Sequence, residues 1–218
     1  MKKILLGVLL FAYALIAGCA AVGTAVKHKD LETQTKMSKS VFLDPVPVKE
    51  KTVYVQTHNT TDKPNFDIKP ALVSNLEAKG YRVVSDYSKA HYLLQVNLLQ
   101  VGKNSKTAAE EMMGKGYGGT MEGAVAGGAM AAAGGGYGHV VAGSVGGALV
   151  TTVADNMVKD VLYSGIVDVK ITEKQKSNAK PKIFKTRILT TADKVNLKFS
   201  AAQPILEKSL GHSIAGIF

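Results

Sequence analysis

A long segment of glycine, alanine and valine in the middle of the chain limits the possible folds more than any other feature. It runs from Gly114 to Gly147, and no Asp, Glu, Lys or Arg occurs between Gly123 and Ala154. This uncharged run is longer than a single membrane-spanning helix requires. Glycine-rich helices are weak in water, because each glycine costs on the order of 1 kcal/mol relative to alanine. Neighbouring helices must therefore stabilise the segment, and oligomerisation would supply them.

The glycines of this segment recur with helical spacing. Two sets are four residues apart: Gly119, Gly123 and Gly127, then Gly143 and Gly147. Residues at this spacing share one side of a helix, and a side without side chains lets helices pack closely. A glycine triplet suited to a chain reversal lies between the sets: Gly134, Gly135 and Gly136. The two arms would each be about 24 Å long at 1.5 Å per residue, which matches the thin outer membrane.

The spacing predicts a membrane-inserting helical hairpin over residues 114–154. Its modest hydrophobicity would allow export across the inner membrane and insertion after assembly. Two alternatives remain open. The hairpin can instead pack inside the protein or along a periplasmic assembly, or the segment can be a disordered low-complexity loop. The lack of charge and proline disfavours disorder.

The amino terminus has the form of a lipoprotein export signal. Two lysines precede an apolar stretch, 4–17, that is too short to span a bilayer comfortably. Small residues then lead to Cys19, the only cysteine of the chain. We expect cleavage of the signal peptide, residues 1–18, between Gly18 and Cys19, with a diacylglycerol on the Cys19 sulfur and an N-acyl lipid on its amino group. A plain secretory signal with an incidental cysteine is the alternative.

The lipid predicts the location of the protein. Acyl chains contribute on the order of 0.8 kcal/mol per buried methylene, so two or three chains anchor a protein firmly. Ala20 and Ala21 follow the cysteine, and the aspartate typical of inner-membrane retention is absent. We therefore expect a tether over residues 19–30 that anchors the protein to the outer membrane. A lipidated Cys19 leaves no thiol for a disulfide or a cysteine metal site.

The chain is basic, with 27 Lys and Arg against 17 Asp and Glu. In an exported lipoprotein, the expected counter-charges are anionic lipid headgroups or lipopolysaccharide phosphates. Tryptophan is absent and aromatic residues make up 6% of the chain, which argues against platforms for base stacking and against nucleic acid as a partner. A solvated basic surface without a particular partner is the alternative.

The remaining residues, 31–113 and 155–218, predict a single α/β domain into which the glycine-rich segment is inserted. Alternating apolar residues indicate strands at 31–37, 52–56, 81–85, 91–101, 161–171 and 183–190, with a charged hairpin loop at 173–182. Helices are predicted over 68–79, with caps at Asp67 and Gly80, and from Ala201 to the end, with Ser200 as a possible cap. Residues 102–113 resemble a polar break, and 195–199 a further alternating segment. The expected fold class is α+β, a mixed sheet with flanking helices.

The sequence contains no pattern that predicts catalysis. Gly114, Gly116 and Gly119 match G-x-G-x-x-G, but no predicted strand precedes them, so nucleotide binding is not expected. The histidines are dispersed without the spacing of a metal site: His28, His58, His91, His139 and His212. We therefore expect no catalytic, metal or cofactor site, and a protein that is not an enzyme.

Several sequence blocks together resemble the TraT family. They are the lipobox, residues 37–45, Lys79-Gly80-Tyr81-Arg82-Val83-Val84, the Gly/Ala segment, and the tail from Ala192 with the Ala-x-Pro-x-Leu-Glu pattern at 202–207. The resemblance covers essentially the whole mature chain. TraT proteins are surface-exclusion or complement-resistance lipoproteins of conjugative plasmids. The resemblance implies an outer-membrane homo-oligomer in the form of a ring, which reduces mating with donors of the same or a related plasmid.

By the same resemblance, the protein would act by binding or masking, with the donor mating apparatus or a recipient outer-membrane protein as its partner. Two other classes remain open on the sequence alone. A structural envelope lipoprotein would cause envelope defects on deletion without changing mating. A secretion-channel component would create a measurable pore or an export dependence.

Overall fold

The computed structural model describes residues 30–119, 160–175 and 179–218. They form an α+β domain with one six-stranded mixed sheet of order β1-β6-β5-β4-β2-β3. The strands are β1 Glu32–Met37, β2 Thr52–Asn59, β3 Arg82–Val83, β4 Tyr92–Asn104, β5 Asp160–Glu173 and β6 Lys182–Val195. The helices are α1 Lys69–Ala78, α2 Lys106–Gly114 and α3 Phe199–Ala215. Strand β2 is parallel to β3 and β4, and the other pairs are antiparallel. The predicted fold class is confirmed as α+β with a mixed sheet.

One face of the sheet is apolar and is covered by α1 and α3. The side chains that alternate inward along β4 are buried as predicted: Tyr92, Leu94, Val96 and Leu98. The apolar stripe of α3 contributes Leu206, Leu210 and Ile214, each 0% exposed. Gly211 lies where the two helices meet, because a Cβ atom there would stand 2.7 Å from the Leu72 backbone nitrogen. This apolar face holds the main core of the domain.

The ends of α1 largely follow the predicted signals. The Asp67 carboxylate accepts a hydrogen bond of 2.9 Å from the Lys69 backbone N–H at the start of the helix. Gly80 follows the helix with φ +80°, a backbone conformation that favours glycine over other residues. Pro70 fits in the first turn, where the missing N–H has no helical partner. The N-cap residue of α1 is nevertheless Ile68, which makes no side-chain capping hydrogen bond, so the predicted cap at Asp67 is wrong by one residue, whereas the predicted stop at Gly80 is confirmed.

Two expectations for the segment before α3 are wrong. Residues 195–199 do not continue an alternating strand, because Asn196 adopts φ 54° and turns the chain after β6. Helix α3 then begins at Phe199, so Ser200 lies inside the helix and does not cap it. The N-cap residue is Lys198, which makes no side-chain capping hydrogen bond. Tight turns of this kind interrupt alternation that would otherwise predict a strand.

The predicted polar break over 102–113 is also wrong. Strand β4 continues to Asn104, and α2 follows at once. Ser105 caps this helix, since its hydroxyl oxygen accepts a hydrogen bond of 3.1 Å from the Ala108 N–H. Three residues of α2 form a small second core with Ile166 and Leu189 of the sheet: Ala109, Met112 and Met113. The apolar stripe is too short for periodicity to reveal it against the charged residues of the same helix.

The two ends of the sheet differ in what they connect. We call one the hairpin end, because β5 and β6 close there between Glu173 and Lys182, in agreement with the predicted loop. We call the other the tether end, because β1 begins there opposite Asp193 and the chain arrives from residue 30. Strand β5 also begins at the tether end. The sheet is therefore entered from the amino terminus at the end opposite the hairpin.

Within the described ranges, no helix combines the length and apolar character needed to cross a membrane. Several predictions concern other parts of the chain. The signal peptide, Cys19 and most of the glycine-rich segment lie outside the described residues. So do seven of the glycines assigned to helix packing or to the turn: Gly123, Gly127, Gly134, Gly135, Gly136, Gly143 and Gly147.

Candidate functional site: the root of the glycine-rich segment

The second face of the sheet carries a buried pair of opposite charges. Asp168 on β5 and Arg187 on β6 are register partners, so their side chains project from the same face. Arg187 is 0% exposed and Asp168 is 8% exposed. The Arg187 Nε donates to Asp168 Oδ1 at 2.7 Å, and Nη2 donates to Oδ2 at 3.1 Å. This two-point geometry is the strongest arrangement of a guanidinium and a carboxylate.

The remaining hydrogen bonds of the pair reach the chain that leads into the glycine-rich segment. Arg187 Nη1 donates to the Met112 carbonyl at 3.0 Å, and Nη2 donates to the Gly119 carbonyl at 3.0 Å. In return, the Gly118 backbone N–H donates to Asp168 Oδ2 at 2.8 Å. We call residues 112–119 the root of the glycine-rich segment. The ion pair thus fixes the root to the sheet through three backbone groups.

The root contains a tight turn that only glycine adopts easily. Gly116 has φ +65° and Gly118 has φ +74°, both in the left-handed region. At Gly119, a Cβ atom would lie 2.7 Å from the Cβ and carbonyl oxygen of Lys115, which leaves no room for a side chain. These glycines bring the backbone close enough to the sheet for the Asp168 and Arg187 hydrogen bonds.

The aromatic ring of the root also contacts the sheet. Lys185 Nζ on β6 lies 5.2 Å from the centre of the Tyr117 ring, within the range of a cation–π contact. Burial, and to a lesser extent the negative charge of Asp168, raise the pKa of Tyr117 above its usual value. Tyr117 therefore stays neutral at physiological pH beside the ion pair.

Helix α2 joins the root to the rest of the second face. Met112 and Met113 pack against Ile166 and Leu189. At the exposed side of the helix, Lys36 Nζ on β1 lies 2.7 Å from Glu110 Oε1. Its hydrogen bond from Lys36 lowers the pKa of the Glu110 carboxyl group. Both groups are about half exposed, so water screens this pair far more than the buried one.

The chemistry of this site is structural. Burying two charges is costly, and the cost is offset only when geometry and additional hydrogen bonds are good. Here Arg187 uses four N–H contacts, two to the carboxylate and two to backbone carbonyls. The described residues contain no group of three or more side chains suited to hold a metal ion. The arrangement thus determines how the chain enters the glycine-rich segment.

The structure connects this site to only one residue of the predicted set. Gly119, predicted to pack helices, is the last described residue before the gap, and its carbonyl accepts the Arg187 hydrogen bond. Its role between helices stays a prediction. Gly114 ends α2 and Gly116 lies in the following turn, so the G-x-G-x-x-G match follows a helix and not a strand.

Asp168 and Arg187 were missed by the sequence reasoning, although a signal was present. A hairpin that closes between Glu173 and Lys182 places residues five positions before and after these two opposite one another. Asp168 lies between Val167 and Val169, and Arg187 directly precedes Ile188 and Leu189. Opposite charges directly across an antiparallel pair commonly interact. Combining the predicted loop with this count would have identified the pair.

The fold and the site define an α+β domain whose sheet holds the root, residues 112–119, through a buried ion pair. The sequence profile of the "Enterobacterial TraT complement resistance protein" family matches residues 30–183 and 175–218. A TraT complement resistance protein of Escherichia coli is 36% identical over 242 residues, covering 100% of this chain and 99% of the relative. One from Wigglesworthia glossinidia brevipalpis is 24% identical and covers 93% of this chain and 91% of the relative.

The chain therefore belongs to the TraT complement resistance family. Among solved structures, the chain is similar to the PelC dodecamer from Paraburkholderia phytofirmans, with 8% identity and a TM-score of 0.36. That match covers 84% of this chain and 98% of the PelC chain. A TM-score this low supports no inference about the fold or the function of this chain.

Proposed function

We propose that the protein is an outer-membrane lipoprotein that mediates surface exclusion in bacterial conjugation. It would make the cell that carries it a poor recipient for donors with the same or a related plasmid. The observation that carries this proposal is the match, along the full length of the chain, to TraT complement resistance proteins. The family description also supports a contribution to complement resistance.

The anchoring in this proposal combines two elements. Acyl chains on Cys19 hold the amino terminus in the outer membrane, and the glycine-rich segment forms a helical hairpin that inserts beside them. Close packing at Gly119, Gly123 and Gly127 joins copies into a homo-oligomer. The buried fixation of the root supports this proposal, because a firmly held root gives every copy the same orientation of its hairpin.

The mode of action in this proposal is binding or masking, without catalysis. An oligomer on the cell surface would meet the donor mating apparatus or cover a recipient outer-membrane protein. Such a role needs no cofactor beyond the covalent lipid. The buried and fully hydrogen-bonded ion pair supports this mode, because its charges are turned toward the chain itself and not toward a substrate.

The deciding experiment measures plasmid transfer into recipient cells that express the protein. Donors carry either its own plasmid type or an unrelated plasmid, and Cys19→Ala serves as the control that lacks the lipid. We expect a selective drop with the related donor that disappears in the control. Unchanged transfer from both donors would instead favour a structural or channel lipoprotein.

Helix packing is tested separately with Gly123→Leu. The bulky side chain should disrupt the oligomer while lipidation at Cys19 remains. Val125→Leu is the control, because it places a leucine on the opposite side of the predicted helix, away from the glycine face. Normal oligomers of the Gly123 variant in detergent extracts would count against packing through the glycine face.

A further inference from the structure

Two neighbouring rows of register partners cross the second face of the sheet between the buried ion pair and the hairpin end. We call the row beside the ion pair the lysine row: Gln56, Gln95, Lys170 and Lys185. We call the following row the apolar row, after three of its four members: Tyr54, Leu93, Thr172 and Ile183. Residues two positions apart on a strand share a face and lie about 7 Å apart, so the two rows are contiguous.

The lysine row places two like charges directly opposite each other. Lys170 on β5 and Lys185 on β6 are register partners, an arrangement that destabilises a strand pair unless the charges are compensated. Asp168, two residues before Lys170 on the same face, is already neutralised by Arg187. Within residues 30–119, 160–175 and 179–218, neither lysine forms an ion pair. The row therefore presents positive charge that no carboxylate of these ranges neutralises.

The apolar row is open to solvent beside this charge. Ile183 is 54% exposed, and Tyr54 and Leu93 are half-buried. Tyr87, 51% exposed, extends the row, because its ring packs edge-on against Tyr54 with centroids 6.2 Å apart. Lys174 Nζ lies 4.3 Å from the centre of the Tyr87 ring. Positive charge thus borders the apolar row on both sides.

This combination of side chains fits the surface of an anionic membrane. Lysine binds a phosphate group as a point charge, and lysines near an anionic bilayer are attracted to it. Tyrosines are enriched at the boundary between headgroups and acyl chains, where one end of the side chain is apolar and the other is hydrated. An acidic protein would match the lysines alone. A lipid surface also matches the exposed apolar row between them, because acyl chains begin directly below its headgroups.

The root leaves the domain on the same face. Arg187 Nη2 holds the Gly119 carbonyl at 3.0 Å, and Lys185 Nζ lies 5.2 Å from the centre of the Tyr117 ring. The chain therefore enters the glycine-rich segment beside the lysine row. In the proposed function this segment inserts into the outer membrane, so the face from which it departs is turned toward the bilayer.

The tether is long enough for this orientation. Residues 19–30 span at most about 40 Å when fully extended. The chain enters the sheet opposite Asp193, and Lys185 lies about 27 Å from that residue along β6. A domain anchored through Cys19 can thus lie on its side, with the second face along the bilayer.

We propose that the second face is a membrane-facing surface, in which the lysine row binds anionic lipid headgroups and the apolar row reaches the acyl boundary of the bilayer that anchors the chain. This inference rests on the lipid anchor and the inserted segment of the proposed function. It deepens that function by fixing the orientation of the domain. Helices α1 and α3, which cover the opposite face, are then turned away from the membrane and toward a mating partner.

The test measures how close the apolar row lies to lipid. The full-length chain, lipidated at Cys19, is reconstituted into vesicles of phosphatidylcholine alone or mixed with phosphatidylglycerol. Ile183→Cys introduces the only free thiol for an environment-sensitive fluorophore, because the chain has no other cysteine than Cys19. We expect quenching by lipids spin-labelled near the headgroup to roughly double when phosphatidylglycerol is present. The same probe at Lys79→Cys, on the α1 side of the domain, should remain unquenched.

Charge variants show whether the lysine row is responsible. Lys170→Glu combined with Lys185→Glu should abolish the increase with phosphatidylglycerol, and the corresponding pair of glutamines should reduce it. Lys69→Glu combined with Lys208→Glu is the matched control, because it changes the net charge equally at exposed positions of α1 and α3. The control pair should keep the increase. The unfolding midpoint of every variant is compared with that of the wild-type protein to verify folding.

The outcomes separate this inference from the function on which it rests. An unquenched Ile183 probe, equal quenching in the lysine-row variants and the wild-type chain, or an equal loss in the control pair refutes the membrane-facing surface. A probe that is shielded from water but not quenched by lipid indicates a protein partner and also refutes it. Plasmid transfer is measured with the same wild-type chain. Exclusion with an unquenched probe leaves the proposed function standing, whereas lysine-dependent quenching without exclusion supports the surface and refutes surface exclusion.

Discussion

The two faces of the sheet use opposite chemistry. The face under α1 and α3 is apolar, and its stripe of Leu206, Leu210 and Ile214 is wholly buried. The face under α2 has only a small apolar cluster and depends on the buried pair of Asp168 and Arg187. Apolar burial is non-directional, so it stabilises many similar packings. A hydrogen-bonded ion pair favours one arrangement and is costly in any other.

This difference assigns the two faces different tasks. The apolar face stabilises the domain, whereas the polar face directs the chain from β4 through α2 into the root. The three backbone groups that meet the ion pair all belong to residues 112–119. A purely apolar second face would leave the root free to slide on the sheet. The predictions below remove contacts from one face at a time.

The largest expected effect comes from the polar face. Asp168→Ala leaves the fully buried Arg187 guanidinium without its carboxylate, which should lower the free energy of unfolding by about 3–5 kcal/mol. Thermal and denaturant unfolding of the detergent-solubilised protein measure the change. Asp62→Ala, at an exposed ion pair with Lys63, is the control and should unfold like the wild-type protein. Equal losses in the two variants would contradict the role of burial.

Truncation of a buried side chain on the apolar face should cause a similar or slightly smaller loss of stability. Leu206→Ala removes a side chain that is 0% exposed between α3 and the sheet, and should destabilise the domain by about 2–5 kcal/mol. The same unfolding measurement applies. In contrast to the Asp168 variant, amide exchange in the root should remain slow relative to global unfolding. Selective loss of protection in the root would show that the faces are not separable.

A smaller effect is expected from overpacking between α1 and α3. Gly211→Ala places a methyl group within 2.7 Å of the Leu72 backbone nitrogen and 2.8 Å of the Ala71 Cβ atom, so the helices must separate. We expect a loss of about 1–3 kcal/mol in unfolding free energy. Gly216→Ala, with only wider contacts of 3.1 Å and above, is the matched control near the end of the same helix. An unchanged melting temperature for the Gly211 variant would refute close packing.

The smallest change in stability is expected from breaking the exposed ion pair of the polar face. Lys36→Ala removes the partner of Glu110 where both side chains are about half exposed. Water screens such pairs, so no measurable change in the unfolding midpoint is expected. A clear loss of stability would mean that the attachment of α2 depends on its exposed edge as well as on the buried pair.

The periodicity of apolar residues was sufficient to predict the buried residues of the apolar face but not those of the polar face. Alternation in β4 and the stripe of α3 correctly indicated inward residues, because one apolar face imposes a regular spacing. Helix α2 escaped detection because tertiary contacts of three residues determine it. The root depends on backbone hydrogen bonds to side chains distant in sequence, and no local pattern encodes those. Asp168 and Arg187 become recognisable only after their hairpin register is assigned.

The most direct test of this account measures amide hydrogen exchange in the root. Arg187→Met combined with Asp168→Leu replaces the ion pair with apolar side chains, a change that often preserves overall stability. The account predicts at least tenfold faster exchange in residues 112–119, where the Gly118 N–H loses its acceptor, with unchanged protection in α3. Equal protection of the root in the variant and the wild-type protein would contradict the claim that this pair fixes the root to the sheet.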